Sequence, residues 1–353
     1  MLEVEPIPFE LSVCNFKVSV QCITFNHSAY ITETMDGFCR QELDEPFVCV
    51  IIDDASKDDE QSVIDNYLRL HFDNDDAKTC NTEKYHFYFA RHKINQSCYF
   101  AVYLLKENHY SNGRSKDPYF IPWVEHSRYL AFCEGDDCWI DPKKIQKQSL
   151  FLDEHKDYSL VYTNICSNKD GKISSHISKS VSRDYESVLL RTGVGTLTVM
   201  MRSEIFFNYL DVVRPDEQDW FVIGDAPRWK YAAYCGKVML MEDVTAVYRD
   251  HNGSISHQGD FEYKKKIITT AYKIKCYFNE RFTNPSERAR LQHLIDMSYF
   301  EAYLDECVYF GSYSKAKAFL RGKHNILSIR DYRHLLKFYY SQIMSKLYHK
   351  IVG

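Results

Sequence analysis

Two short acidic runs in this chain stand where an apolar run stops. Asp53-Asp54 follows Phe47 to Ile52, and Glu134-Gly135-Asp136-Asp137 follows Tyr129 to Cys133. Carboxylates placed this way are held by the element before them and face whatever lies beyond its end. Their oxygens accept hydrogen bonds from N–H and O–H groups, and they are the natural ligands of hard divalent cations. The net charge of −5 adds a constraint. A doubly charged diphosphate would be repelled by such a chain unless a cation intervened.

The elements that must position these runs alternate. Phe16 to Thr24 is an apolar, β-branched run that predicts a first strand, ended by Phe25-Asn26-His27-Ser28. Between Tyr30 and Arg40 the residues Ile31, Met35 and Phe38 recur at helical spacing. Phe47 to Ile52 carries no charge, as expected of a parallel strand covered on both faces. Gln61 to Leu70 predicts a helix and Tyr85 to Ala90 a third strand leading into Arg91. Cys98 to Glu107 predicts a helix, Asn108 to Pro118 a loop, and Tyr129 to Cys133 the fourth strand. Later strands are expected at 160–163, 196–201, 237–241 and 244–248, and a helix at 225–235. The order predicts an α/β fold with a Rossmann-like, mostly parallel central sheet flanked by helices. Ligands of such sheets bind at the carboxyl ends of the strands, where both acidic runs fall. Beyond His257 the periodicity is helical throughout, which divides the chain into 1–257 and a helical C-terminal extension, 258–353.

Composition narrows the classes. No apolar run approaches the ~20 residues of a membrane span, and the first residues lack the pattern of a secretory signal, so a cytoplasmic protein is expected. The 12 cysteines are scattered singly with no CxxC pair, which favours small buried apolar side chains over a zinc site or a disulfide framework. The negative net charge argues against a general nucleic-acid binder.

Taken in order, VSVQCITFNHSAYI, VIIDDAS, YLAFCEGDDCWIDPKKIQKQ, GDAPRW and YRDHNGSIS resemble the bacterial family 2 glycosyltransferases of GT-A fold, over residues 16 to 257. The resemblance implies transfer of a sugar from a nucleotide diphosphate donor, expected to be a UDP-sugar, to an acceptor hydroxyl with inversion at the anomeric carbon. A glycan or polyprenyl-linked acceptor in capsule or lipopolysaccharide synthesis would fit. It assigns base and ribose to Thr24, Phe25, Asn26, Asp53 and Asp54, with Phe25 stacking on the base and Arg91 as a further donor contact. Glu134-Gly135-Asp136-Asp137 resembles the DXD element, with Glu134 where many members carry Asp. Glu134 and Asp136 are then expected at the donor, and Asp136 followed by Asp137 as ligands of Mn2+ or Mg2+. Asp225 matches the position of the base that deprotonates the acceptor, with Asp216, Glu217 and Asp219 as rivals. Arg249 and His251 are expected at the diphosphate, His251 also at the metal.

Plainer readings stand beside these. Asp53-Asp54 can end a strand and cap a helix, the second run can be a solvated acidic turn, and Asp225 can be an N-cap. A sugar nucleotidyltransferase would share the nucleotide and metal sites but should carry a glycine-rich loop near its first strand, and Gln21 to Tyr30 contains no glycine. A non-catalytic nucleotide-sugar-binding or scaffold protein is the third class, against which the intact acidic residues argue. Finally, Asp331 to Gly353 sets Leu335, Leu336, Tyr339, Tyr340, Ile343, Met344, Leu347 and Ile351 against Lys337, Lys346, His349 and Lys350. Such a basic amphipathic helix suits peripheral contact with an anionic membrane, packing onto the catalytic domain, or a homodimer partner.

Overall fold

The uncharged run before Asp53 is a strand buried along its whole length: parallel strands pair with both of its edges, and an apolar core covers each of its faces. A computed structural model describes residues 4–11, 15–169, 171–175, 177–191, 193–218, 223–251, 259–324 and 327–352. Its elements begin β1 (Phe16–Thr24), α1 (Ile31–Cys39), β2 (Phe47–Asp53), α2 (Glu60–His71), β3 (Lys78–Asn81), β4 (Tyr85–Arg91) and β5 (Cys98–Leu105). They continue with α3 (Asp117–Glu125), β6 (Ser127–Phe132), β7 (Cys138–Trp139), α4 (Lys144–Glu154), β8 (Tyr158–Lys169), β9 (Lys172–Ser175), β10 (Val181–Arg183) and α5 (Tyr185–Leu190). Then come β11 (Met200–Arg202), α6 (Ser203–Val213), α7 (Asp225–Cys235), β12 (Lys237–Asp250), α8 (Phe261–Phe282), α9 (Arg288–Tyr309), α10 (Tyr313–Lys323) and α11 (Ile329–Val352).

The sheet runs β10-β12-β8-β11-β6-β1-β2-β5-β4-β3, with β7 beside β12 and β9 beside β8. Its centre, β6-β1-β2-β5, is parallel, and β8 is parallel to β12. The remaining pairings are antiparallel, so the sheet is mixed, with a parallel core. Side chains of β1 and β2 alternate between two cores. Val18, Val20, Cys22, Cys49 and Ile51 face α1, α2 and α4. Phe16, Val48, Val50 and Ile52 face α3 and the aromatic side chains of β4 and β5. Cys22, Cys49, Cys98 and Cys133 are buried as small apolar groups.

One stretch departs from expectation. Residues 98–105 form strand β5, not a helix, and the expected third strand is its antiparallel hairpin partner β4. A short run that is apolar on both faces reads alike as buried helix or buried strand. The open edge of β2 decides for strand. The two strands expected at 237–241 and 244–248 are one, β12, with a register shift between Met241 and Val244.

The chain divides into two compact units. The first, Met1–Tyr185, Gly193–Glu217 and Ala232–His251, holds the whole sheet. The second, Glu186–Thr192, Gln218–Tyr231 and Asn252–Gly353, holds α8 to α11 around Phe261, Phe300, Leu304, Leu320, Leu335 and Tyr339. The expected boundary at 257 lies outside the described residues, and two earlier segments join the helical unit. No described helix is long and apolar enough to cross a membrane.

Candidate active site

β1, β2 and β6 end at one edge of the sheet, where Thr24 pairs with Asp53 and Gln21 with Phe132. Their following loops therefore emerge side by side. Asn26 and Ala55 take left-handed backbone, at φ 58° and 59°, which turns the first two loops towards each other. Asn26 suits this because asparagine is among the few non-glycine residues that adopt left-handed backbone readily. Its Oδ1 accepts the Lys57 N–H at 2.7 Å, and its own N–H donates to Ser56 Oγ at 2.8 Å. Glu60, fully buried, accepts from the Thr24 hydroxyl, from the His27 N–H at 2.8 Å and from the Ser56 hydroxyl at 2.7 Å. Burial pushes its carboxyl upward against those bonds. Thr24 and Asn26, expected at the nucleotide, thus lace the two loops together, while Phe25 between them is half-buried.

The two aspartates after β2 behave differently. Asp53 Oδ2 accepts the Ser56 N–H at 3.1 Å and the Gln61 amide at 2.5 Å, whereas its buried Oδ1 has no partner. A buried acceptor left open calls for a donor from outside the described residues. Burial also raises the Asp53 carboxyl. Asp54 is saturated: it accepts the N–H groups of His109 at 2.7 Å and Tyr110 at 3.0 Å, and the Lys116 ammonium at 2.9 Å. Its carbonyl takes the Asn108 amide at 2.7 Å. The ligand role expected of Asp54 gives way to holding the 108–116 loop at the carboxyl end of β5. Asp54→Ala should therefore cost about 3 kcal/mol, the scale of breaking a buried charge pair, read by denaturant unfolding. Proteolytic cleavage should concentrate at 108–116.

The acidic turn after β6 lies directly against β1. Gly135 donates its N–H to Ile23 O at 3.0 Å, and a Cβ there would fall 2.0 Å from Thr24 Oγ1 and 2.4 Å from Thr24 Cβ. Only glycine permits this approach. Gly135→Ala should displace the turn and cost about 1–3 kcal/mol, as overpacking does. A melting temperature equal to that of the natural chain would contradict the close packing. Below the turn, Thr34 Oγ1 lies 2.9 Å from Gly135 O and 2.5 Å from Asp137 O. Trp139 packs edge-on to Phe38 at 4.9 Å and donates to Leu197 O at 2.8 Å.

Asp137, expected as the second metal ligand, turns inward and accepts the Arg249 N–H at 3.0 Å. Burial, with Glu134 and Asp136 beside it, pushes its carboxyl up to about 8. Arg249, expected on the diphosphate, is also committed within the protein. It donates to Asp136 O at 2.8 Å and to the Glu33 carboxylate, and its guanidinium lies 5.3 Å over the Tyr30 ring. It clamps the acidic turn. Glu134 is half-buried, its carbonyl accepting the Asp137 N–H at 3.1 Å.

Asp136 faces the edge. His251 Nε2 stands 3.0 Å from its Oδ2, and His27 Nε2 stands 3.8 Å from the same atom. One ligand atom from each of the three side chains lies within 4.8 Å of the others, which no other His, Cys, Asp or Glu trio does among the described residues. The His27 and His251 rings are 6.0 Å apart and nearly perpendicular, and the Tyr30 ring lies 5.0 Å from His251. Burial lowers the His27 pKa, opposed by Asp136 and reinforced by His251, which favours the neutral imidazole that ligates metals. His27 was legible only as the end of β1. What it lacked in the sequence was a reason to meet residues 136 and 251, and the pairing of β1 with β6, together with that of β7, just after the acidic turn, with β12, supplies one.

One expected residue of the first unit lies elsewhere. Arg91 ends β4, which is antiparallel to β5; it pairs with Tyr99, near the start of β5, and so sits at the edge of the sheet opposite Asp53. The misread helix at 98–107 is what put it on the wrong edge. Asp225 opens α7 in the second unit. There Lys230 is buried, and burial, with Lys275 adding and Asp225 opposing, pushes its ammonium down to about 7. Of the rivals, Asp216 and Glu217 are exposed, Glu217 paired with Arg214 at 3.4 Å, and Asp219 lies outside the described residues.

A parallel sheet core with an open carboxylate oxygen and a His-Asp-His cluster along one edge defines the class: an α/β protein built to hold a polar ligand, with a place for a cation. Comparison with solved structures narrows the fold. The chain superimposes on S. aureus TarS with TM-score 0.56 and 13% identity, covering 94% of this chain and 55% of that one. Against S. aureus TarS 1-349 in complex with UDP-GlcNAc the TM-score is 0.51 at 13% identity, covering 95% and 92%. No family model matches the sequence. Uncharacterized proteins of Mycobacterium tuberculosis and Mycobacterium bovis are 26% identical over 253 residues, 70% of this chain and 63% of theirs. The chain thus spans less than two thirds of the length of those relatives.

Proposed function

We propose that this chain is a glycosyltransferase that moves a sugar from a nucleotide diphosphate donor to an acceptor hydroxyl, with a divalent cation held by Asp136, His251 and His27. The convergence of those three side chains on the carboxyl edge of the sheet carries the reading. The fold shared with TarS, solved with UDP-GlcNAc, supports it. One carboxylate oxygen and two imidazole nitrogens suit Mn2+ better than Mg2+, which prefers oxygen ligands and keeps its waters. When bound, the ion neutralises charge developing on the leaving diphosphate.

The chain's own residues do the rest. The open Asp53 Oδ1 accepts the N–H of a base, as uracil N3–H would provide, so a UDP-sugar is the favoured donor. Phe25 offers a ring to stack on that base, and Glu134 an acceptor for a ribose hydroxyl. Arg249 and Thr34 hold the acidic turn rigid, so that Asp136 needs little rearrangement on binding. On its match to the family's motif, Asp225 is assigned as the base for the attacking hydroxyl, and the same likeness implies a single displacement of the diphosphate with inversion. The acceptor we assign to a glycan or lipid-linked chain in surface polysaccharide assembly.

A panel of nucleotide sugars incubated with the protein and Mn2+, with release of nucleoside diphosphate followed by chromatography, tests the proposal. Release from UDP-sugars that stops in excess EDTA is the expected result. Undiminished release in EDTA would remove the cation from the proposal, and no release from any donor would remove the transferase.

A further inference from the structure

Helix α11 carries two apolar faces where packing within its unit uses one. Leu335 and Tyr339 are buried among α9 and α10, with Tyr332, Leu336 and Ile343 partly covered beside them. At about 100° per residue, a second stripe is centred roughly 100° around the helix from these. It comprises Ile329, Arg333, Lys337, Tyr340, Met344 and Leu347, with Tyr348 at its margin. Ile329 is 74% exposed, Tyr340 61%, Met344 65%, Leu347 48% and Tyr348 63%, and Arg333 and Lys337 are exposed as well. The stripe extends for about 29 Å along the axis.

Its charge has one sign. Residues 329 to 352 contain a single acid, Asp331, which lies off the stripe and is 3.6 Å from His293. Arg333 and Lys337 form no ion pair with any described residue. In a chain of net charge −5 this helix is therefore a basic face with tyrosine, methionine and leucine in line with the bases.

We infer that the exposed face of α11 is a docking surface for an anionic lipid membrane. The apolar and tyrosine side chains would enter the headgroup boundary, and Arg333 and Lys337 would meet lipid phosphates. A second copy of the chain fits less well, because a helix seam built on this stripe would draw Arg333 and Lys337 into positions that coiled coils fill with apolar residues. The surface is independent of the proposed chemistry, and testing it needs no substrate.

The full chain is sedimented with vesicles of phosphatidylcholine alone and of phosphatidylcholine with phosphatidylglycerol. Binding is expected to the anionic vesicles only, and to weaken as salt rises. The triple variant Tyr340→Ser, Met344→Ser, Leu347→Ser should lower partitioning at least tenfold without changing the circular dichroism, since these side chains are exposed. Arg333→Gln with Lys337→Gln should lower it by a similar factor, as two basic contacts would, and gives an answer even where the triple variant fails to fold. Absence of anionic binding, or binding unmoved by the charge variant, overturns the inference. So does a dimer in sedimentation equilibrium that the triple variant dissociates, since that assigns the face to a second copy.

Discussion

Asp136→Ala is expected to abolish divalent cation binding and to lower turnover by roughly 10³-fold, the equivalent of several kcal/mol of lost stabilisation of the leaving group. Asp136 is the sole carboxylate of its cluster, and its Oδ2 is the atom on which His251 and His27 converge, at 3.0 and 3.8 Å. Without it, two imidazoles remain with no charge to balance the cation. Donor binding should weaken as well, because under the proposal the same charge balance would hold the diphosphate. The fold should survive, since Asp136 is only half-buried, and its loss removes one side-chain hydrogen bond worth about 1 kcal/mol. Electron paramagnetic resonance of Mn2+ titrated into both proteins checks this directly. Mn2+ affinity equal to the natural chain's would place the metal site elsewhere, whatever happened to activity.

Asp225→Asn should act on a different step. Asparagine keeps the shape and the capping ability of aspartate at the start of α7 but cannot accept a proton, so kcat should fall by about 10²-fold while donor affinity holds. The contrast with Asp136→Ala is diagnostic, because under the proposal one variant would lose the proton acceptor and the other the cation. Isothermal titration with UDP alongside steady-state kinetics separates the two effects. Near-normal kcat in Asp225→Asn, with a large loss in Asp216, Glu217 or Asp219 variants that still bind donor, would move the base upstream of α7.

The sequence by itself determined the elements that carry the site. The largely apolar, β-branched and aromatic runs at 16–24, 47–52 and 129–133 lie in strands, as their composition predicts, and each acidic run begins where an apolar run stops. The helix from Asp225 to Cys235 and the helical character of the last ninety or so residues were legible from periodicity alone. What a one-dimensional pattern lacks is the partner. Asp53 and Asp54 are identical side chains in adjacent positions, yet one keeps an open oxygen while the other is saturated by a loop some 55 residues away in sequence. Asp136 and Asp137 differ in the same way, one facing the edge and the other capping a backbone N–H from residue 249. Arg91 was misplaced because the direction of β4 depends on which neighbour claims β5, and no local property of residues 98–105 records that β2 stands open beside them. His27 became part of the cluster only when β6 packed against β1, and β12 brought residue 251 alongside. Burial and chain reversal are properties of the assembled sheet, so which carboxylate keeps an unpartnered oxygen or faces the edge, and which one holds the scaffold, was decided by the tertiary structure.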